Sequence, residues 1–148
     1  MASNIICLLR QLFLCQEQYG RAQVKHLGIS PAQGMTLHYL FSCGAQTVSA
    51  TQLHKEFGVS KSAISSTLKN LQEKGYLKER RHPEDDRKKQ IILTDKAYAL
   101  KAQLDQELAE QQACLCEGIP PQRLAALENE LHTMLHNVRQ QISRRTEP

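Results

Sequence analysis

Two helical patterns lie only three residues apart in the middle of the chain. Leu53 and Phe57 mark a short helix that Gly58 can end with a left-handed backbone, and Ser60 caps a longer helix that runs to Lys74. This spacing predicts a helix-turn-helix. The apolar side chains that would hold its two helices together are Leu53, Phe57, Val59, Ile64, Leu68 and Leu71. An ordinary helical hairpin with a solvated polar side fits the same pattern.

The second of these helices would turn small polar and basic side chains outward. With its apolar residues facing the core, the outward positions are Lys61, Ser62, Ser65, Ser66 and Lys69, beside the capping residue Ser60. Short hydroxyl side chains can enter a DNA major groove without steric hindrance, and cations beside them can neutralise phosphates. These six residues are therefore candidate DNA-binding residues.

A β-hairpin is predicted directly after the second helix. Residues 76–81 and 88–93 are two short strand-like runs around a polar turn. Beside a helix-turn-helix, such a hairpin is a wing, which places cations against the phosphate backbone and one long arginine within reach of the minor groove. Its candidate DNA-binding residues are Arg81, Asp85, Arg87, Lys88 and Lys89. The alternative is that these charged residues are only solvent-exposed and bind nothing. That alternative gives no reason for them to lie on a hairpin directly after a helix-turn-helix.

The order of residues in the wing resembles that of a known family. The pattern DxRxxxIxLT runs from Asp85 to Thr94, and the stretch LQEKGYL precedes the hairpin. Both are similar to the MarR (multiple antibiotic resistance regulator) family, over roughly residues 30–95. The resemblance implies that Arg87 enters the minor groove and that an ion pair with Asp85 fixes its side chain. Family members often carry an arginine on the exposed face of the recognition helix, where this chain has Ser65, Ser66 and Thr67, so the operator sequence stays open.

The resemblance also implies an architecture. The fold would be mostly α with a small β-hairpin wing, in a single domain over residues 1–148. Residues 30–95 would form the winged helix-turn-helix, and residues 1–28 and 95–145 the dimerisation helices. In such proteins the terminal helices of two subunits interleave. This arrangement places the two recognition helices roughly 34 Å apart on pseudopalindromic double-stranded DNA.

Apolar stripes on the terminal helices support a homodimer independently of the resemblance. The first helix carries Ile5, Leu8, Leu9 and Leu12, and the last carries Leu124, Leu127, Leu131 and Val138. The winged unit alone would leave these stripes uncovered, and a second copy is the simplest partner. An intrachain three-helix bundle is the alternative.

The charge and composition of the chain are compatible with a nucleic-acid partner but do not establish one. The chain has 148 residues, a net charge of +4 and five cysteines. No signal-peptide pattern and no apolar run of membrane-spanning length occur, so a cytoplasmic protein with reduced thiols is expected.

Several residues could sense a signal. MarR-like proteins respond to a small molecule, often aromatic, or to oxidation of a cysteine. His26, His38 and Tyr39 could line an effector pocket, although partly buried packing is an equal alternative. Cys7 and Cys15 lie where the organic-hydroperoxide sensors of the family carry a reactive thiol. The tyrosines that orient that thiol are missing from residues 31–34, which favours buried structural cysteines.

Metal and enzyme functions have weaker support. His132 and His136 have zinc-chelating spacing, and Cys114 and Cys116 are near in sequence, but surface or interface histidines are the better interpretation. Phosphate loops, nucleophile elbows and metal-hydrolase motifs are absent, so we expect no enzyme, no metal and no cofactor. The remaining rival is an interaction protein that uses a winged helix without binding DNA.

Overall fold

The structure is a computed structural model that describes residues 4–44, 48–85 and 89–146. These residues form helices joined by one antiparallel hairpin, which confirms the predicted mostly α fold with a β-hairpin wing. The elements are α1 (Ile5–Val24), α2 (Pro31–Cys43), α3 (Ala50–Phe57), α4 (Lys61–Glu73), β1 (Leu77–Arg81), β2 (Lys89–Leu93), α5 (Asp95–Cys116) and α6 (Pro121–Thr146). A 3₁₀ turn at Lys25–Leu27 follows α1.

Hydroxyl side chains begin the central helices by accepting hydrogen bonds from free backbone amides. The Ser30 hydroxyl accepts from the Gln33 amide at 3.2 Å, and the Gln33 side chain accepts from the Ser30 amide at 3.1 Å. Ser49 and Gln52 form the same reciprocal pair at the start of α3. Such caps satisfy backbone donors that the helix itself leaves free, so the helix starts are encoded locally.

The core of residues 1–111 lies among α2, α3, α4, β1 and α5. Its five fully buried large side chains are Leu37, Leu53, Leu71, Leu77 and Leu104. Burying a leucine contributes roughly 1.5–3 kcal/mol relative to leaving it exposed. Leu53 and Leu71 thereby fix the two helices of the helix-turn-helix against the rest of this unit.

The hairpin has a regular register. Leu77 pairs with Leu93 at its base, and Arg81 pairs with Lys89 at the other end of the described strands. The Ile91 amide also donates to the Val48 carbonyl at 3.4 Å, which joins β2 to the segment before α3. The wing is thus attached to the helix-turn-helix at its base.

The chain forms two compact units, residues 1–111 and residues 112–148. The second unit holds the end of α5 and all of α6, with Gly118 between them in a left-handed conformation at φ 75°. Its exposed large apolar side chains are Leu115, Leu127, Leu131, Leu135, Val138 and Ile142. Among the described residues, no helix is both long and apolar enough to cross a membrane.

Exposed apolar side chains also cover much of α1, in residues 4–24. Ile6 is 79% exposed and Phe13 63% exposed in the single chain. Cys7 and Cys15 are exposed on the same helix, so the expectation that they are buried is wrong for the single chain. The stripe that the sequence predicted is therefore uncovered along most of α1.

Candidate nucleic-acid interface

The turn between α3 and α4 is held by local contacts. Gly58 ends α3 at φ 65°, a conformation that favours glycine because it has no Cβ. The His54 ring nitrogen Nδ1 donates to the Val59 carbonyl oxygen across the turn. The Ser60 hydroxyl then accepts from the Ala63 amide at 3.2 Å and begins α4. These contacts fix the direction in which α4 leaves the turn.

Packing determines which face of α4 is available. Ile64, Leu68 and Leu71 are buried, as predicted. Val59, by contrast, is 42% exposed, so the prediction that it packs between the helices is wrong. Its carbonyl is used by His54 while its side chain points to solvent, and a pattern of apolar residues does not reveal that difference.

The exposed face of α4 is the row of residues predicted from the sequence. Lys61, Ser62, Ser65, Ser66 and Lys69 are all exposed. At 3.6 residues per turn these positions span an arc of about 140° on the helix. Within the described part of the chain, the side chains of Lys61, Ser65, Ser66 and Lys69 have no hydrogen-bond or ion-pair partner. They are free to bind an external ligand.

Ser60 and Ser62, at the start of α4, differ from the other exposed residues because their hydroxyl groups have hydrogen-bond partners. The Ser60 hydroxyl caps the helix and also lies 3.1 Å from the Ser62 hydroxyl. Ser60 is therefore already used in the fold, whereas Ser62 keeps hydrogen-bonding capacity for another group.

The described part of the wing carries exposed cations, two of which bind side chains of the opposite strand. Lys89 Nζ lies 3.4 Å from Glu79 Oε2, and Arg80 Nη2 donates to Gln90 Oε1 at 3.1 Å. Arg81 is exposed on β1. Lys89 is therefore a weaker phosphate ligand than a free lysine would be, since part of its charge is neutralised.

The tip of the wing lies partly outside the described residues. Asp85 is half-buried and has an interaction partner. Arg87 and Lys88 lie outside the described residues, so the Asp85–Arg87 ion pair and the minor-groove contact stay predictions.

Contacts at the end of α4 were not predicted from the sequence. The Lys74 ammonium donates to the Gly28 carbonyl and to Gln33 Oε1, both at 2.8 Å. On the other side, Lys96 Nζ donates to the Lys74 carbonyl at 2.5 Å. The Thr94 hydroxyl donates to the carbonyl of Gly75, the residue that follows Lys74, at 2.6 Å. The sequence marks Lys74 only as the residue before a terminating glycine, because its partners on the α2 side lie more than 40 positions away.

The two histidines among the effector candidates pair with carboxylates of α5. His26 Nε2 lies 3.3 Å from Glu107 Oε1, and His38 Nδ1 lies 3.3 Å from Asp105 Oδ1. Lys101 Nζ donates to the other Asp105 oxygen at 2.6 Å. The Lys101 ammonium and, to a lesser extent, His38 hold the pKa of Asp105 below its ordinary value, against a smaller opposing effect of burial.

Tyr39 lies apart from both histidine pairs. Its ring meets the Phe57 ring edge to face, with centroids 5.5 Å apart. Burial raises the pKa of the Tyr39 phenol, and a hydrogen bond with Cys43 adds to that rise. The structure therefore does not bring His26, His38 and Tyr39 together around one described pocket.

Two concavities lie near these residues. A shallow depression of about 220 Å³ includes His38, Phe41 and Lys101 in its lining. A mostly apolar cavity of about 250 Å³ lies between α1, α2 and α5. Its lining includes Phe13, Gly34, Met35, Leu104 and Leu108, and none of the three candidates.

The described residues offer no metal centre. No group of three or more histidine, cysteine, aspartate or glutamate side chains in residues 4–44, 48–85 and 89–146 is arranged to hold a metal ion. His132 lies 3.9 Å from Glu128 on the same helix, as a surface pair.

Known structures share this fold. The S. aureus MepR–DNA complex matches with a TM-score of 0.82 at 22% identity, covering 88% of this chain and 95% of that one. A protein from Listeria monocytogenes complexed with 26mer DNA matches with a TM-score of 0.84 at 17% identity, covering 92% and 89%. A MarR protein from Peptoclostridium difficile matches with a TM-score of 0.85 at 18% identity, covering 95% and 91%.

The sequence itself also matches a family model. The model of the MarR family matches residues 27–88, which include α2, the helix-turn-helix and β1 but not β2. The model and the shared fold agree on the same winged helix. Residues 27–88 therefore match the MarR family model, and the chain shares the fold of solved MarR-family structures.

Proposed function

We propose that this protein is a homodimeric, sequence-specific regulator of transcription that binds double-stranded DNA, and that it represses until a small-molecule effector releases it. The observation that carries DNA binding is the exposed row on α4: three serines and two lysines on one face, without described partners for most of them. Two structures with this fold are DNA complexes. The cytoplasm is the compartment in which we expect it to act.

The proposed reading of DNA divides between α4 and the wing. The hydroxyls of Ser62, Ser65 and Ser66 would contact base edges in the major groove, while Lys61 and Lys69 would bind the flanking phosphates. Arg81, Lys88 and Lys89 would add phosphate contacts. Arg87, fixed by Asp85, would enter the adjacent minor groove, where narrow A·T tracts attract cations.

The dimer is proposed from the uncovered apolar faces of the terminal helices. Side chains on α1 and α6 such as Phe13, Leu131 and Val138 are between 41% and 63% exposed in the single chain. Such faces in a water-soluble protein require a covering surface, and a second copy supplies the same stripes by symmetry. One domain over residues 1–148 would then serve each half of a pseudopalindromic operator.

The effector part of the proposal rests on the cavity between α1, α2 and α5. Its lining is mainly apolar, which suits an aromatic ligand, and its polar residues are Glu17 and the mutually hydrogen-bonded Gln16 and Gln111. The histidine pairs near α5 could serve a ligand that carries charge instead.

Two variants test the assignment of the DNA surface. We expect the double change Ser62→Ala and Ser65→Ala to reduce the preference for operator over random duplex, because a good base contact contributes roughly 1–3 kcal/mol of discrimination. We expect Arg87→Ala to weaken binding to every duplex and to lower the log–log salt slope by about one unit. The operator is first obtained by sequencing genomic fragments that the purified protein retains, and anisotropy titrations at two salt concentrations then compare the variants. Equal losses on both duplexes for the serine variant, or no loss for Arg87→Ala, would contradict the assignment.

A further inference from the structure

The last turn of α4 is connected to the start of α2 by one side chain. Lys74 Nζ donates to the Gly28 carbonyl and to Gln33 Oε1, both at 2.8 Å. Gln33 is only 6% exposed, and the same side-chain oxygen accepts from the Ser30 amide. The lysine thus meets an acceptor that is itself fixed within the fold.

Lys74 is exposed, but its ammonium group donates to acceptors of the same chain. Hydrogen bonds from an ammonium group are roughly twice as strong as those between neutral groups. Lys61 and Lys69, on the exposed face of the same helix, have no such partner among the described residues. Lys74 therefore differs from the lysines that are suited to phosphate binding.

A second connection holds the same turn from the side of α5. The Lys74 carbonyl accepts from Lys96, and the Gly75 carbonyl accepts from Thr94. The end of α4 is consequently clamped between the starts of α2 and α5. Removing the Lys74 side chain would leave the α5 side of this clamp and the buried packing of Leu68 and Leu71 to hold this end of α4.

The length of α4 converts a small tilt at this end into a large displacement at the other. A helix of 13 residues is about 20 Å long at 1.5 Å per residue. A tilt of about 10° at Lys74 would therefore move the far end, near Ser62, by about 3–4 Å, which exceeds the tolerance of a base-edge hydrogen bond.

We propose that Lys74 is a positioning residue for DNA reading: its ammonium sets the angle of α4 through Gly28 and Gln33 without contacting DNA. The inference rests on the proposed function. Its alternative is that Lys74 is one more phosphate ligand, and the two roles differ in their dependence on salt.

The test compares Lys74→Met with Lys69→Met, which removes a lysine from the exposed face of the same helix. Lys74→Met should lower operator affinity by up to about tenfold, because reorienting α4 on DNA costs no more than the lost hydrogen bonds supplied, with the salt slope unchanged and little loss on random duplex. Lys69→Met should weaken both duplexes and lower the slope by about one unit. Anisotropy titrations at several salt concentrations measure both quantities.

Gln33→Met removes an acceptor of Lys74 at a residue on α2, outside the exposed row of α4 that is proposed to contact DNA. It should lower operator affinity in the same direction as Lys74→Met, and the effects of the two changes should be less than additive, because both remove the Lys74–Gln33 hydrogen bond. Gln33→Met keeps the Gly28 contact of Lys74 and also removes the bond from the Ser30 amide, so the two losses need not be equal. Lys74→Arg should recover part of the affinity. Circular dichroism and thermal melts confirm that each variant is folded.

Hydrogen exchange provides a readout without DNA. Amides of residues 70–76 should exchange faster in Lys74→Met than in the wild type. A slope reduced by one unit with equal loss on both duplexes, unchanged operator affinity, or unchanged exchange would overturn the proposal. If the wild type bound no duplex, the proposed function would be refuted, while the exchange result would still decide whether Lys74 holds the end of α4.

Discussion

Leu53 and Val59 offer a direct test of which side chains hold the helix-turn-helix together. The sequence predicts both as packing residues, but Leu53 is 0% exposed and Val59 is 42% exposed. Leu53→Ala removes a fully buried side chain and leaves a cavity, which costs about 3–5 kcal/mol in well-packed cores. Val59→Ala removes a side chain that still meets water, so we expect a cost below about 1 kcal/mol.

Urea denaturation followed by circular dichroism measures the free energy of unfolding of both variants. Protein concentration must be equal in all samples, because the stability of a dimer depends on it. A loss of about 3 kcal/mol is a large share of the roughly 5–15 kcal/mol that stabilises a typical domain. Similar losses for the two variants, or a loss under 1 kcal/mol for Leu53→Ala, would refute the reasoning from burial.

Three further predictions address the dimer, the thiols and acid stability. Changing Leu131 and Val138 together to Glu should convert a dimer in light scattering into a monomer that keeps its helical circular dichroism, and a wild type that is already monomeric at micromolar concentration would refute the proposed dimer. Peroxide should change DNA affinity little, despite the exposure of Cys7, because tyrosine partners are missing; a strong peroxide-induced release that Cys7→Ser abolishes would show the opposite. The pKa of Asp105 is lowered in the fold, mainly by Lys101, so its contribution to stability is present above the unfolded pKa and lost as pH falls through the folded pKa. Lys101→Met should reduce that acid-side loss in urea titrations across pH 2–6, and an unchanged pH profile would contradict it.

Signals that are local in sequence predicted the elements well. Ser30, Ser49, Ser60 and Thr94 mark helix starts, and in the structure each hydroxyl accepts from the amide three residues further on. The physical reason is that a cap and its partner are neighbours in the chain, so tertiary structure is not needed to recognise them. The exposed face of α4 followed from the same local periodicity.

Features that depend on distant residues were not predictable in the same way. Val59 is apolar but 42% exposed, although its carbonyl accepts a hydrogen bond within the turn from His54. Lys74 finds its acceptors at positions 41 and 46 residues away. Cys7 fits an apolar stripe, yet whether that stripe is covered depends on a partner surface that one chain does not contain.

The register of the hairpin determines how far the wing can reach. Five residue pairs, from Leu77–Leu93 to Arg81–Lys89, extend about 16 Å at roughly 3.3 Å per residue. Adding one residue to each strand would turn every later side chain to the opposite face, so the hairpin can lengthen or shorten without disturbing its base only in steps of two. Each such step would shift the tip by about 6–7 Å, close to the length of two base pairs at 3.4 Å each. Hairpins that share this base and differ in length should therefore differ by two residues in each strand, since only such a step keeps the same side chains on each face.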